Sequence, residues 1–106
     1  MTSNDLLLLS KDALKLCKEK EYNRIADLIH ESYIELIKVE SDSRRTKSST
    51  IIRSIQILDI EMIKLKLEYE QVEKEFNLNS IPAIDQYIDN LKTYRRQLVI
   101  EKNRFR

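Results

Sequence analysis

Hydrophobic residues recur along this chain at steps of three and four, the spacing that places them on one side of an α-helix. The recurring segments predict four helices, which span roughly residues 5–20, 22–40, 50–76 and 82–102. The first segment follows Thr-Ser-Asn-Asp, residue types that accept hydrogen bonds from the free amides at a helix start. Pro82 fits the first turn of the last helix, where a missing amide costs no hydrogen bond.

The third predicted helix has the most regular pattern. Steps of four and three alternate without a miss along its main apolar seam, which consists of Ile51, Ile55, Leu58, Met62, Leu65, Tyr69, Val72 and Phe76. A seam of this length predicts a long helix of coiled-coil type. We expect it to pack against the first two helices of the same chain.

The fold class that follows is all-α, an antiparallel bundle of about four helices within a single domain, residues 1–106. Glycine is absent and Pro82 is the one proline, so few residues remain that form tight turns or phosphate-binding loops. Residues 41–49 form a polar connector without an apolar side chain. The pattern leaves open whether this connector is a loop or an exposed extension of the long helix.

A second apolar stripe on the long helix predicts a binding surface for another protein. It consists of Ile52, Ile60, Ile63 and Leu67, and we expect it to be joined by Tyr94 and Leu98 near the chain end. A core of this size should not cover both stripes, so we expect the chain to assemble as a homo- or hetero-oligomer. Protein partners are therefore predicted, with no small-molecule substrate.

Charge and composition argue against nucleic-acid binding, membrane binding and secretion. The 19 basic and 18 acidic side chains give a net charge of +1, whereas direct nucleic-acid or membrane binding usually requires a basic excess. The leucine run 6–9 is too short for a signal peptide and follows Asn4 and Asp5 rather than basic residues, so we expect a soluble intracellular protein.

No constellation of catalytic or metal-binding residues is visible in the sequence. His30 has no second histidine one turn away, as a metal site on a helix would need, and is expected at the surface. Cys17 falls within a helical apolar pattern and is expected to be a small core residue. We therefore predict a protein that is not an enzyme and binds no metal or other cofactor.

The order of helices resembles the helical domain of GINS subunits, which belong to the replication complex of archaea and eukaryotes. The resemblance lies in a leucine-rich first helix, the second helix YNRIADLIHESYIELI (22–37), the EMIKLKL segment (61–67) of the long helix, and the final helix IDQYIDNLKTY (84–94). It covers the helical domain alone, without the small β domain of that family. It implies a structural subunit that assembles with sister subunits and helps to hold the MCM helicase and its activating factors together.

Two alternatives remain open. The charged corner KEKEY (18–22) and the opening IIRS (51–54) of the long helix are similar in spacing to MIT modules, three-helix domains that bind short helical peptides. The MIT resemblance leaves the last helix without a role. The second alternative needs no family: a small coiled-coil subunit of a tether or scaffold.

Overall fold

A computed structural model describes residues 1–104 of the chain and contains five α-helices over this range. The helices are α1 (Ser3–Leu9), α2 (Lys11–Lys20), α3 (Asn23–Glu40), α4 (Lys47–Phe76) and α5 (Pro82–Asn103). The all-α fold class expected from the sequence is confirmed. Pro82 occupies the first turn of α5, as its residue type predicts.

The expectation of one unbroken helix over residues 5–20 is wrong, because the segment bends at Ser10 between α1 and α2. The hydroxyl of Ser10 donates to the carbonyl of Leu7 at 2.6 Å, and the Ser10 amide donates to the same carbonyl at 3.1 Å. A serine hydroxyl that bonds to a nearby backbone carbonyl competes with the regular backbone hydrogen bonds of a helix. The apolar spacing continues across the break, so periodicity alone does not reveal it.

Side-chain caps set two helix starts earlier than the apolar pattern does. Helix α1 begins at Ser3 because Thr2 and Asp5 exchange reciprocal hydrogen bonds between side chain and amide, at 3.2 and 2.8 Å. Helix α4 begins at Lys47 because the Thr46 hydroxyl accepts a hydrogen bond from the Ser49 amide at 3.1 Å. The polar connector therefore covers residues 41–46, and the last three residues of the predicted connector are helical.

The five helices form a four-sided bundle around a core, in which α1 and α2 together occupy one corner. Helix α4 packs against α3 on one side and α5 on the other, while α1 and α2 fill the space between α3 and α5 at the far corner. Within the described residues, α4 approaches neither α1 nor α2. The seam of α4 therefore packs between α3 and α5, and the expectation that it packs against both of the first two helices is only partly met.

The core runs along the whole bundle, whose dimensions are 47 × 21 × 19 Å. Its most deeply buried apolar side chains come from every helix and include Leu6, Cys17, Ile25, Ile29, Leu36, Leu58, Leu65, Ile84, Tyr87 and Leu91. Burying each of these large side chains contributes about 1.5–3 kcal/mol relative to leaving it exposed. The position of α4 at one corner leaves its outward face open along its length.

Candidate protein-binding surface on helix α4

The outward face of α4 carries an apolar stripe, which we call the outer stripe and define as Ile52, Ile60, Ile63 and Leu67. These side chains retain 40, 46, 62 and 59% of their accessible surface, respectively. The four residues follow one another at steps of eight, three and four along the helix, with exposed Gln56 midway in the longest step. The sequence placed these four residues on an open face, and they are exposed in the structure.

The outer stripe is exposed because α4 uses its opposite side for folding. Leu58 and Leu65 are 0 and 1% exposed, and they point into the core between α3 and α5. A residue half-way around the helix from this inner face has no neighbouring helix within the described chain. A single helix thus presents one apolar side to the core and another to solvent.

Two residues predicted to join this surface do not lie on it. Tyr94 and Leu98 are 4 and 7% exposed, so the expectation that they face a partner is wrong. They continue the buried face of α5, on which Ile84, Tyr87 and Leu91 point into the same core. Being near the chain end does not expose them, because α1 and α2 pack against α5.

The main apolar seam also differs from the sequence pattern at two points. Phe76, its last member, is 50% exposed, and its ring lies beside that of Tyr22, with 5.5 Å between ring centroids. Ile57 is 4% exposed although it is not a member of the seam. A helix held between two neighbours buries a face wider than a single heptad seam, which accounts for the burial of Ile57.

Ion pairs between helices border the outer stripe on both sides. On the α5 side, the guanidinium of Arg95 lies 2.5 Å from the Asp59 carboxylate. On the α3 side, Lys64 lies 3.2 Å from Glu31, and Arg24 lies 3.4 Å from Glu68. These partly exposed pairs contribute little to stability, but they give the apolar stripe a polar rim, as protein-binding surfaces have.

A groove runs between α3 and α4 beside the stripe and contains two adjoining depressions of about 380 and 310 Å³. Both are lined by Glu31 and Lys64, and the outer-stripe residues Leu67 and Ile60 form part of their walls. We call this feature the α3–α4 groove. Its charged lining consists of five acidic side chains and three basic ones: Asp27, Glu31, Glu35, Glu61 and Glu68, with Arg24, Arg53 and Lys64.

Glu61 is the most unusual residue of this groove, because it is an acidic side chain that is only 4% exposed. Its Oε1 atom lies 3.7 Å from Nζ of Lys64, and its Oε2 atom has no hydrogen-bond partner among residues 1–104. Burial, and then the hydrogen bond and charge of Glu31, raise the pKa of Glu61 to about 7. The pKa of Glu31 is lowered by its hydrogen bonds to Glu61 and Lys64.

The sequence contained a signal for this residue. Glu61 stands three positions after Leu58 and four before Leu65, so helical spacing places it on the buried face of α4. Glu61 was not singled out from the sequence. Its position decides its burial, because α4 has a neighbouring helix on two sides.

The other residues that carry possible chemistry lie apart from the surface. Cys17 is 1% exposed in the core, where burial raises the pKa of its thiol to about 11, as expected for a structural cysteine. His30 is exposed on α3, as its sequence context predicts. Within residues 1–104, no group of three or more His, Cys, Asp and Glu side chains is arranged to hold a metal ion.

Within the same range, no helix combines the length and the apolar character needed to cross a membrane. Comparison of the chain with protein-family models, with curated proteins and with solved structures finds no match.

Proposed function

We propose that this protein is a non-catalytic helical subunit that binds another protein through the outer stripe of α4. The observation that carries this proposal is the exposure of four large aliphatic side chains in line on one helix. Several large apolar side chains exposed on one face of a folded protein often mark an interaction site. Covering each side chain contributes up to about 1.5–3 kcal/mol, less the part that is already buried.

A substitution at the most exposed position of the stripe tests the proposal. Ile63 is 62% exposed, so Ile63→Asp adds a solvated charge without disturbing the core. Tagged wild-type and Ile63→Asp chains are expressed in the source cells, cross-linked and purified, and the bound proteins are quantified by mass spectrometry. We expect the Ile63→Asp chain to lose a specific set of partners while its circular dichroism remains helical.

The matched control is Ile34→Asp. Ile34 is 49% exposed on α3 and lines neither depression of the α3–α4 groove. The same change of residue type at similar exposure should leave the partners in place. Equal recovery of partners by wild type, Ile63→Asp and Ile34→Asp would refute a role for the outer stripe.

The resemblance to GINS helical domains supports a more specific proposal, that the partners are sister subunits of a replication complex. On this proposal the chain is structural, and it contributes its long helix to the contacts between subunits. The partners recovered with wild type and lost with Ile63→Asp should then include further helical replication subunits in fixed stoichiometry. Recovery of membrane-trafficking or cytoskeletal partners would contradict it.

The α3–α4 groove favours a second candidate, a module of MIT type that binds helical peptides. The two adjoining depressions lie beside an apolar stripe, an arrangement in which one helical peptide could bind. The two candidates differ in the complexes they form: a peptide-binding module is a stable monomer that binds its ligand reversibly, whereas a GINS-type subunit stays in a stable assembly. Size-exclusion chromatography of the native complex from cell extract separates them, and an elongated oligomer of few components would indicate a scaffold subunit.

A further inference from the structure

Two carboxylates of the α3–α4 groove, Glu31 and Glu61, share one cation. Arg24 pairs with Glu68, and Glu35 lies 3.4 Å from Lys38, so each of these carboxylates has its own cation. Lys64 alone lies beside both Glu31, at 3.2 Å, and Glu61, at 3.7 Å. One ammonium group therefore serves two carboxylates, and the one with the longer contact is the more deeply buried.

Glu61 also has an unused acceptor. Its Oε2 atom has no hydrogen-bond partner among the described residues, although the residue is more than nine-tenths buried. A buried carboxylate oxygen without a donor destabilises the folded chain, because it has lost its hydrogen bonds to water. Such a group is unusual in a folded protein, and it points to a donor that the chain itself does not supply.

Arg53, the other cation that lines the depression with Glu61, is directed to another partner. Arg53 lines the same depression, and its guanidinium donates to Gln56 at 3.3 Å. Arg53 stands two helical turns before Glu61, a rise of about 12 Å along the helix axis. Arg24 is already paired with Glu68, so a cation other than Lys64 that pairs with Glu61 comes from outside this chain.

The position of Glu61 relative to the outer stripe indicates what carries that cation. Glu61 lines the depression together with Ile60, a member of the stripe, and Ile57. A helix that packs on the stripe and leans toward α3 would cover Ile60 and Leu67, and a long side chain on its flank would lie over this depression. Only lysine and arginine combine the length, the apolar stem and the charge that such a site requires.

We propose that the partner of the outer stripe is a helix of another protein that carries a lysine or arginine beside its apolar residues, and that this basic side chain enters the α3–α4 groove to pair with Glu61. The inference rests on the proposed function, since it names the chemistry of the partner that the stripe binds. On binding, the incoming cation takes over Glu61 and leaves Lys64 to Glu31. Each carboxylate then has one cation.

An unbiased selection tests this chemistry. A display library of helical peptides, randomised on one face, is selected against the full wild-type chain and against Glu61→Gln. The substitution keeps the shape of the side chain and removes its charge. We expect wild type to enrich peptides that have apolar residues at helical spacing and lysine or arginine at one flanking position, and Glu61→Gln to enrich the same apolar pattern without the basic residue.

Affinities of one enriched peptide give the quantitative readout. We expect Glu61→Gln to weaken binding by about 10- to 100-fold, the effect of losing a charge-assisted hydrogen bond. Glu35→Gln is the matched control, because Glu35 lines the same depression but already lies beside Lys38. It should change the affinity by less than about threefold.

The outcomes separate this inference from the proposed function. Peptides that bind through Ile63 but carry no basic residue, or that bind wild type and Glu61→Gln equally, overturn the inference and leave the stripe as a binding surface. Peptides unaffected by Ile63→Asp overturn both. Failure to enrich any helix, or a dimer of the chain alone that Ile63→Asp dissociates, overturns the inference, because the groove then takes no foreign helix or a second copy covers the stripe.

Discussion

The hydroxyl of Tyr94 on α5 donates a hydrogen bond to Oε1 of Glu40 at the end of α3, at 3.0 Å. The other carboxylate oxygen of Glu40 accepts a hydrogen bond from the Ser3 hydroxyl at 2.6 Å, at the start of α1. One acidic side chain thus joins three helices at one end of the bundle. Burial, and then the charge of Glu40, raise the pKa of Tyr94 above its ordinary value, so its hydroxyl remains a donor at physiological pH.

This contact predicts that Tyr94 stabilises the fold and does not bind a partner. Tyr94→Phe removes the hydroxyl and leaves the ring, so we expect the free energy of unfolding to fall by about 1.5–3 kcal/mol, the range for a hydrogen bond to a charged acceptor. Urea denaturation followed by circular dichroism measures it. Tyr33→Phe is the control, because its hydroxyl bonds an exposed neutral group, Asn4, at 2.9 Å, and its loss should cost roughly 0.5 kcal/mol or less. Equal costs for the two variants would contradict the assignment.

The same substitution at two nearby positions of α4, Leu65 and Ile63, should change the stability of the fold by very different amounts. Leu65 is 1% exposed in the core, so Leu65→Asp places an unpaired charge there and should lower stability by more than about 3 kcal/mol, enough to unfold much of the chain. Ile63→Asp changes only the exposed face and should shift the melting temperature by a few degrees at most. Thermal melts of the two purified chains make the comparison. A large loss from Ile63→Asp, with Leu65→Asp near wild type, would mean that the two faces of α4 had been assigned the wrong way round.

The sequence predicted the helices and the outer stripe well because both depend on regular spacing. Helix positions on α3, α4 and α5 follow from where apolar residues recur, and the exposure of Ile63 follows from its position opposite Leu58 and Leu65. A helix with apolar residues on two faces packs one face into the core, and the other face stays exposed when no further helix covers it. The pattern therefore contained both the fold class and the candidate surface.

The remaining features depend on contacts between parts of the chain that are distant in sequence, and the sequence did not predict them. Tyr94 and Leu98 are buried because α1 and α2 pack against α5, and no local pattern reveals that docking. The break at Ser10 is the exception, because it involves a local bond from the Ser10 hydroxyl to the carbonyl of Leu7, which apolar spacing does not reveal. The second acidic group beside Glu61 comes from α3, 30 residues earlier, so the pairing of Glu31 with Glu61 appears only in the folded chain.

In this chain without glycine, two of the described helices end at a residue with a left-handed backbone. Glu21, after α2, has φ 61°, and Asn77, after α4, has φ 52°. Asparagine accepts this conformation, whereas glutamate has a side chain that makes it unfavourable by about 1 kcal/mol. We expect Glu21→Gly to raise the free energy of unfolding by about 0.5–1 kcal/mol in urea denaturation. Asn77→Gly should give a smaller gain, and destabilisation by Glu21→Gly would contradict the argument.

The buried carboxylate of Glu61 should make the free energy of unfolding decrease as pH rises. A substitution that removes the carboxylate should remove this pH dependence. Its pKa is about 7 in the folded chain against 4.5 without the fold, so between these values the folded state holds more protons than the unfolded state. Stability from this group is present at low pH and is lost as pH rises through about 7. The charged and polar groups that face it are Glu31 from α3, Lys64 on α4 and Tyr87 from α5.

Glu61→Gln replaces the carboxylate with a neutral group of the same shape. At pH 8 the wild-type chain contains a buried, incompletely paired charge that the variant lacks, so we expect the variant to be more stable by about 2 kcal/mol. At pH 5 Glu61 is protonated in the folded wild type, and the two chains should differ by less than about 0.5 kcal/mol. The lowered pKa of Glu31 acts in the opposite sense, since its stabilisation is lost as pH falls, but both chains contain Glu31 and the comparison between them isolates Glu61. Urea denaturation at the two pH values, with Glu35→Gln as control, measures the difference, and a variant that is less stable than wild type at pH 8 would show that Glu61 is a satisfied structural carboxylate.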